Sequence, residues 1–267
     1  MLQEVLRDVD RLKERLDRAG QLTPAEARRL REYLLVEWTH HSTALEGNTL
    51  DLRETRVVLL DGLAVGGKTL REHLEVVDHR DAVEWLESAV REGLPLSEGL
   101  IRELNRLVLK STLPEEAGKY RRGGARVAGS RHVPPPAWDV PFLVRETVRE
   151  YDARRGKEHP VALAAWLHWR LVFIHPFTDG NGRTARLLMN FSLMSGGYPP
   201  AVIRKEDRER YLDALEEASV RGNLEPFTRL LAERVKEGLC LRLEIVGGEP
   251  PEQSQGPAGQ RPERPLP

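Results

Sequence analysis

Sulfur is scarce in this chain. The single cysteine, Cys240, excludes an internal disulfide framework and suits a reducing compartment. Aromatic residues make up only 6% of the chain, and no ladder of them accompanies the arginines. The stacking platforms of single-strand nucleic-acid binders are therefore missing. The net charge is -1 over 267 residues, so no basic field draws the chain toward a polyanion. No apolar run reaches membrane-spanning length. The first residues, Met1-Leu2-Gln3-Glu4-Val5, are amphipathic and acidic early, unlike a secretory leader. No internal repeat is visible. Together these absences give the expectation of a cytoplasmic protein with neither membrane nor nucleic acid as partner.

What the chain does have is helical periodicity. Its apolar content of 40% is ample for a core. Helical spacing or caps mark segments near 2–18, 24–46, 51–61, 70–91, 97–110, 140–155, 160–174, 182–195, 207–220 and 226–243. Thr23-Pro24-Ala25-Glu26 and Thr69-Leu70-Arg71-Glu72 are capping boxes. Residues 1–22 read as an N-terminal amphipathic helix. Its stripe of Leu2, Val5, Val9, Leu12 and Leu16 can pack onto the domain or support a homodimer. Residues 23–245 form the core, and 246–267, rich in Pro, Gly and Gln, the expected disordered tail. Gly118 to Gly129 reads as a short β-hairpin with glycine at its bends, ended by Pro134-Pro135-Pro136. The expected fold class is all-α, a helical bundle carrying a short β-hairpin flap.

The chemistry concentrates in His175-Pro176-Phe177-Thr178-Asp179-Gly180-Asn181-Gly182-Arg183-Thr184-Ala185-Arg186. An apolar helix ends at His175, a tight turn follows, and a second helix starts near Gly182. The first-turn N–H groups of that helix lack intrahelical partners and suit an anion. Arg183 and Arg186 share a face and can grip phosphate oxygens in bidentate fashion. Asp179 is a hard oxygen ligand of the kind Mg2+ takes alongside phosphates. His175 has an ordinary pKa near neutrality and can accept a hydroxyl proton. Taken singly, each feature has an ordinary structural reading: a helix end, a turn, a solvated face. Their order and spacing together favour a nucleotide site.

A second stretch, Ser42-Thr43-Ala44-Leu45-Glu46-Gly47-Asn48, ends the helix begun at the first capping box. Gly47 is its C-terminal cap, which places Glu46 at the negative end of a helix dipole. Such a carboxylate needs a cation or open solvent.

The motif His-Pro-Phe-x-Asp-Gly-Asn-Gly-Arg-x-x-Arg resembles that of the Fic (filamentation induced by cAMP) family at every fixed position, and the likeness spans about residues 30–235. Ser42 to Gly47 resembles the signature of its branch with an N-terminal inhibitory helix. Thr43–Leu52, Gly118–Arg121 and Gly197–Glu206 place the chain nearest the catalytic core of the animal endoplasmic-reticulum members. The resemblance implies transfer of AMP from ATP, with Mg2+, to a hydroxyl of a protein target that the motif does not specify. It implies His175 as general base and Asp179 as metal ligand. Gly180, Asn181, Gly182, Arg183 and Arg186 would bind the phosphates. Ser42 and Glu46 would be inhibitory, with Glu46 pairing to Arg186. Ala125, Arg126 and Val127 of the flap would dock the target, and Tyr211, Leu212 and Ser219 would line the adenine pocket. Leu212 and Ser219 depart from the aromatic and Asn common there, which leaves nucleotide preference open. Other readings kept open are Glu46-dependent removal of AMP, transfer of another nucleotide or phosphate group, and a non-catalytic interaction module. His168, two turns before His175, reads first as a hydrogen-bonded core histidine, with a His-His-Asp metal site as the lesser alternative.

Overall fold

The computed structural model describes residues 2–247, which form ten α-helices and short 3-10 and π turns. They are α1 (Leu2–Arg18), α2 (Pro24–Ala44), α3 (Leu52–Arg56), α4 (Leu70–Arg91), α5 (Glu98–Leu109), α6 (Val140–Arg154), α7 (Pro160–Ile174), α8 (Asn181–Ser195), α9 (Arg208–Arg221) and α10 (Glu225–Ile245). The expected helices are all present, their ends shifted by one or two residues. The expected helix at 51–61 is α3 followed by a π-helical turn, Val57–Asp61. Both capping boxes form, at Thr23 and Thr69.

The central element is the α7–α8 hairpin. Twelve of the fifteen residues of α8 are buried, so it is enclosed on nearly every side. α7 carries buried residues around its circumference, from Val161 to Ile174, as a helix apolar all round must. One core joins α7 and α8 to α2, α4, α5 and α6 through Trp38, Leu86, Leu104, Val144, Leu167 and Phe191. A second joins the same pair to α1, α9 and α10 through Val9, Met189, Leu215 and Leu239. A third, built on Val36, Leu50, Val58 and Val76, pins the segment after α2 against α4. The short loop between α7 and α8 is thereby fixed at one end of the bundle.

The heptad-like stripe is used within the chain. Val9 and Leu12 are buried, and Leu2, Val5 and Leu16 are partly buried, in the core they share with α10. Among the described residues no helix is long and apolar enough to cross a membrane.

The hairpin expected at 118–129 requires correction. The described residues contain no strand, only an isolated antiparallel bridge between Tyr120 and Phe177. A lone two-stranded hairpin is marginal in water, and glycines weaken it further. Here the segment is held by a side chain instead. Arg121, 5% exposed, donates to the carbonyls of Gly123 at 2.7 Å and His175 at 2.7 Å, and to that of Pro135. The flap is thus a loop cinched around one guanidinium. The expected tail, 246–267, lies outside the described residues from 248 onward.

Leu12→Ala should lower unfolding stability by about 2–5 kcal/mol, the usual cost of emptying a buried leucine site. A urea titration with unchanged slope measures it. A loss near zero would show that α1 does not hold the fold together.

Candidate active site

His175 ends α7 in the left-handed conformation, φ 51° and ψ 59°, and is the one non-glycine with positive φ among the described residues. Such backbone strain is held only where the surroundings fix it. Its N–H bonds the Leu171 carbonyl at 2.8 Å, and its carbonyl accepts from Arg121. Burial pushes the imidazole pKa below its ordinary value, and the Arg121 charge adds to the shift. The Val172 carbonyl and the Glu46 carboxylate offset part of it. The ring is therefore neutral at pH 7 and able to take a proton.

The turn after it is built by side chains closing on backbone. Asn181 Oδ1 accepts the Phe177 N–H at 3.0 Å, and its Nδ2 donates to the Phe177 carbonyl at 2.8 Å. The Asn181 side chain is thereby spent on shaping the loop, which leaves its backbone N–H for any anion. Gly180, φ 75°, caps α8 with no side-chain hydrogen bond, so the first-turn N–H groups stay unfilled by a capping oxygen. Asp179 is half-exposed, and its carboxylate accepts the Gly180 N–H at 2.5 Å. Arg183 lies 3.4 Å from the same oxygen and Arg71 of α4 3.6 Å from the other. Arg183 is 4% exposed, and its Nε has no partner.

Glu46 reaches this turn from the end of α2. Its Oε1 accepts from Arg186 Nη2 at 2.7 Å. The same guanidinium donates to Ser42 Oγ at 3.0 Å and to the Ser42 carbonyl at 2.7 Å. A Cβ at Gly182 would lie 2.2 Å from Glu46 Oε1. The carboxylate therefore rests directly on the first turn of α8, where only glycine leaves room. This answers the dipole problem. A carboxylate at the unfavourable end of α2 sits at the favourable end of α8. Burial raises the Glu46 pKa, but Arg186, with Arg183 and Arg208 beyond, outweighs it and holds the group below its ordinary value.

Behind Arg186 stands Tyr211 of α9. Its hydroxyl accepts from Arg186 Nη1 at 3.4 Å and is 2.9 Å from His168 Nε2. His168 is fully buried and neutral, its pKa driven down by burial and then by the Arg186 charge. It is a core histidine, as expected.

The profile of the Fic/DOC family matches residues 95–193, from before α5 to near the end of α8. A Fic domain containing signaling protein from Bacteroides thetaiotaomicron superposes with TM-score 0.84 at 30% identity, over 92% of this chain and all of that one. Fic-1 of C. elegans, residues 134–508, superposes with TM-score 0.81 at 32% identity, over 92% of this chain and 72% of that one. This chain belongs to the Fic family. Among named relatives, protein adenylyltransferase Fic of Drosophila persimilis is 39% identical over 217 residues, 81% of this chain and 42% of that protein. The chain thus spans less than half of that relative's length.

The structure brings the Fic motif residues His175, Asp179, Gly180, Gly182, Arg183 and Arg186 to one end of the bundle, with Ser42 and Glu46 lying across them. It treats the adenine-pocket candidates differently. Tyr211 points inward to Arg186, whereas Leu212 is 42% exposed. Ser219 accepts from Trp169 Nε1 at 3.2 Å. Leu212, Glu216 and Ser219 recur at helical spacing, and Glu216 bonds Ser130 and the Arg131 N–H. That face of α9 therefore fronts the flap. Ala125, Arg126 and Val127 lie between the Arg121 and Ser130 anchors, with Arg126 exposed.

Three residues escaped the sequence reading: Arg121, Arg71 and Asn105. Arg121 sits in the Gly-Lys-Tyr-Arg stretch that carries part of the Fic likeness, which is the one signal that could have marked it. Nothing local marks the other two.

The two shifted groups make a pH prediction. A carboxyl held below its ordinary value contributes stability above pH 4.5, lost as pH falls through the lower folded value. The Glu46–Arg186 clasp should therefore persist throughout the neutral range. His175 should titrate below 6.5, and Glu46→Gln should move it lower still, because the carboxylate supports the charged imidazole. NMR titration of the His175 ring reads both. An upward move in the variant would show that the two groups do not interact as described.

Proposed function

We propose that this chain is a protein adenylyltransferase that moves AMP from ATP to a hydroxyl of a target protein and is held in check by Glu46. The observation that carries this is the meeting, at the start of α8, of a neutral base, an uncapped helix N-terminus and two buried guanidiniums. The named activity of the Drosophila relatives supports the same reading.

In the transfer step His175 accepts the proton of the attacking hydroxyl. The hydroxyl oxygen bonds to the α-phosphorus, the bond from that phosphorus to its bridging oxygen breaks, and pyrophosphate departs. Arg183, Arg186 and the first-turn N–H groups of α8 hold the phosphate oxygens. Mg2+ carried with the nucleotide would be held at Asp179 and would neutralise charge on the leaving group. The residues fit an ion that arrives with ATP. Among the described residues no cluster of three or more His, Cys, Asp or Glu could hold a metal by itself, and Mg2+ commonly takes one or two carboxylates plus phosphates. Glu46 inhibits because it engages Arg186 and covers Gly182 where phosphate oxygens would lie. A reducing, cytoplasmic setting belongs to the proposal, supported by the lone cysteine.

One observation favours a second reading. The Glu46 side chain is 41% exposed, ionised, and within electrostatic reach of His175. It could orient a water against an AMP–protein ester. Incubating AMP-modified protein without ATP tests this; release of AMP that Glu46→Gln abolishes would support it.

Glu46→Gly should raise AMP transfer to protein on the order of 10^2-fold, the scale set by restoring in-line alignment. Arg186→Ala should cancel that gain. Transfer of label from α-labelled ATP to protein measures it. No increase over wild type, or a fully active double variant, would refute the inhibitory pair.

In the Glu46→Gly background, His175→Ala should cost about 10^2- to 10^4-fold in transfer while nucleotide binding persists. Asp179→Ala and EDTA should each suppress transfer. Near-normal rates in His175→Ala would remove the base assignment, and full activity in EDTA the metal role.

A further inference from the structure

Asn105, on α5, lies far from the motif in sequence and is 0% exposed. Both ends of its amide are used. Oδ1 accepts the Gly118 N–H at 3.0 Å. Nδ2 donates to the Asp179 carbonyl at 3.0 Å and to Thr184 Oγ1 at 3.3 Å. These partners belong to three separate segments: the entry to the flap, the turn after His175, and the first turn of α8. A Cβ at Gly180 would stand 3.0 Å from this Nδ2 and 3.3 Å from Val108, so the turn is pressed flat onto α5. Arg102, one turn earlier on α5, donates from Nε to the Gly118 carbonyl at 2.9 Å. α5 therefore grips Gly118 by its N–H and its carbonyl together.

We propose that Asn105 is a positioning residue that fixes the flap, where the acceptor protein docks, relative to the turn and helix end that hold the nucleotide. The proposal rests on the adenylyl-transfer reading above, with the flap as the docking element that the Fic likeness implies. Transfer requires an acceptor oxygen in line with the α-phosphorus, and a misplacement of about 1 Å can cost on the order of 10^2-fold. The two reactants are held by loops distant in the chain. The Tyr120–Phe177 bridge and Arg121 tie the flap to the residues before the turn, and the Asn105 amide adds the link from the flap entry to Asp179 and the first turn of α8. The polarity of the amide is specified too. A carboxylate at this position would keep the acceptor for Gly118 but turn an anionic oxygen toward the Asp179 carbonyl, where a donor is required.

The test uses Glu46→Gly as parent, with Asn105→Asp and Arg102→Ala added separately. Asn105→Asp should keep its helical circular dichroism and a cooperative unfolding transition. Its kcat for transfer to protein should fall on the order of 10- to 100-fold, with a smaller change in KM for ATP. The Mg2+ concentration giving half-maximal nucleotide binding, read by calorimetry, should rise, because the Asp179 turn loses its tether. More of the consumed ATP should appear as free AMP, because water enters where the acceptor is no longer in line. Arg102 touches only the flap side. Arg102→Ala should therefore raise the free AMP share and leave the Mg2+ midpoint unchanged, and it keeps the proposal testable if Asn105→Asp fails to fold. An unchanged kcat, Mg2+ midpoint and free AMP share in Asn105→Asp would overturn the assignment, as would an Arg102→Ala variant whose free AMP share stays at the parent level. If Glu46→Gly itself transfers no AMP, the parent reading fails instead. The calorimetric midpoint then still decides whether Asn105 holds the Asp179 turn.

Discussion

A guanidinium buried inside a protein must be surrounded by acceptors, because an uncompensated charge there costs several kcal/mol. Arg186 is such a group, with its side chain 3% exposed. Its neighbours are arranged around that demand. Ser42 supplies a hydroxyl and a carbonyl, Tyr211 a phenolic oxygen, and Glu46 the counter-charge. The last turns of α2, the first of α9 and the start of α8 meet because one charge must be met from all sides. Burial lowers the Arg186 pKa, but Glu46 and Tyr211 together raise it by more, so the group stays charged.

In the proposed function, this arrangement lets inhibition be reversible without unfolding. When Glu46 withdraws, two Ser42 acceptors and Tyr211 remain on Arg186. Only the counter-charge is missing, and a phosphate provides one. In the proposed function, inhibitor and substrate therefore compete for the same two features, a guanidinium and a helix N-terminus. Glu46 is tethered to the site by its own chain, so it competes at a high effective concentration. Release then depends on moving the end of α2. That end is fastened to α4, through Asn48 to the Glu72 carbonyl at 3.0 Å and Thr49 Oγ1 to the Glu72 carboxylate at 2.6 Å.

Much of this was legible in the sequence, and for identifiable reasons. The helices followed from caps and periodicity, since Thr23, Thr69 and the apolar run of α7 are local signals. The Glu46–Arg186 contact was expected from a dipole argument joined to a family likeness; the geometry of 2.7 Å came from the structure. The flap was misread because glycine spacing reports where a chain can bend, not whether its strands find partners. Arg121 instead ties the loop to the end of α7 and to Pro135. The inward turn of Tyr211 was equally hidden, because the faces of α9 differ only in what packs against them. Asn105 carries no local signal at all. Its importance comes from three backbone and side-chain partners far away in sequence, which periodicity cannot see.

Under the proposed function, inhibition and catalysis both depend on Gly182. A Cβ there would collide with Glu46 Oε1 and stand 3.1 Å from Arg186 Nη1. Any larger residue would displace the Glu46 carboxylate. The same Cβ would project into the space above the first turn of α8, where phosphate oxygens must come close to backbone N–H groups. In the proposed function the bare backbone thus serves both the carboxylate and the phosphate, and a side chain there would exclude both. Substitution on the α2 side avoids this, because Glu46 contributes to only one of the two states. In the proposed function the inhibitory role therefore falls to a residue outside the motif, just past the end of a helix that packs against the site without forming its floor. The motif itself keeps the shape that any phosphate-binding turn requires.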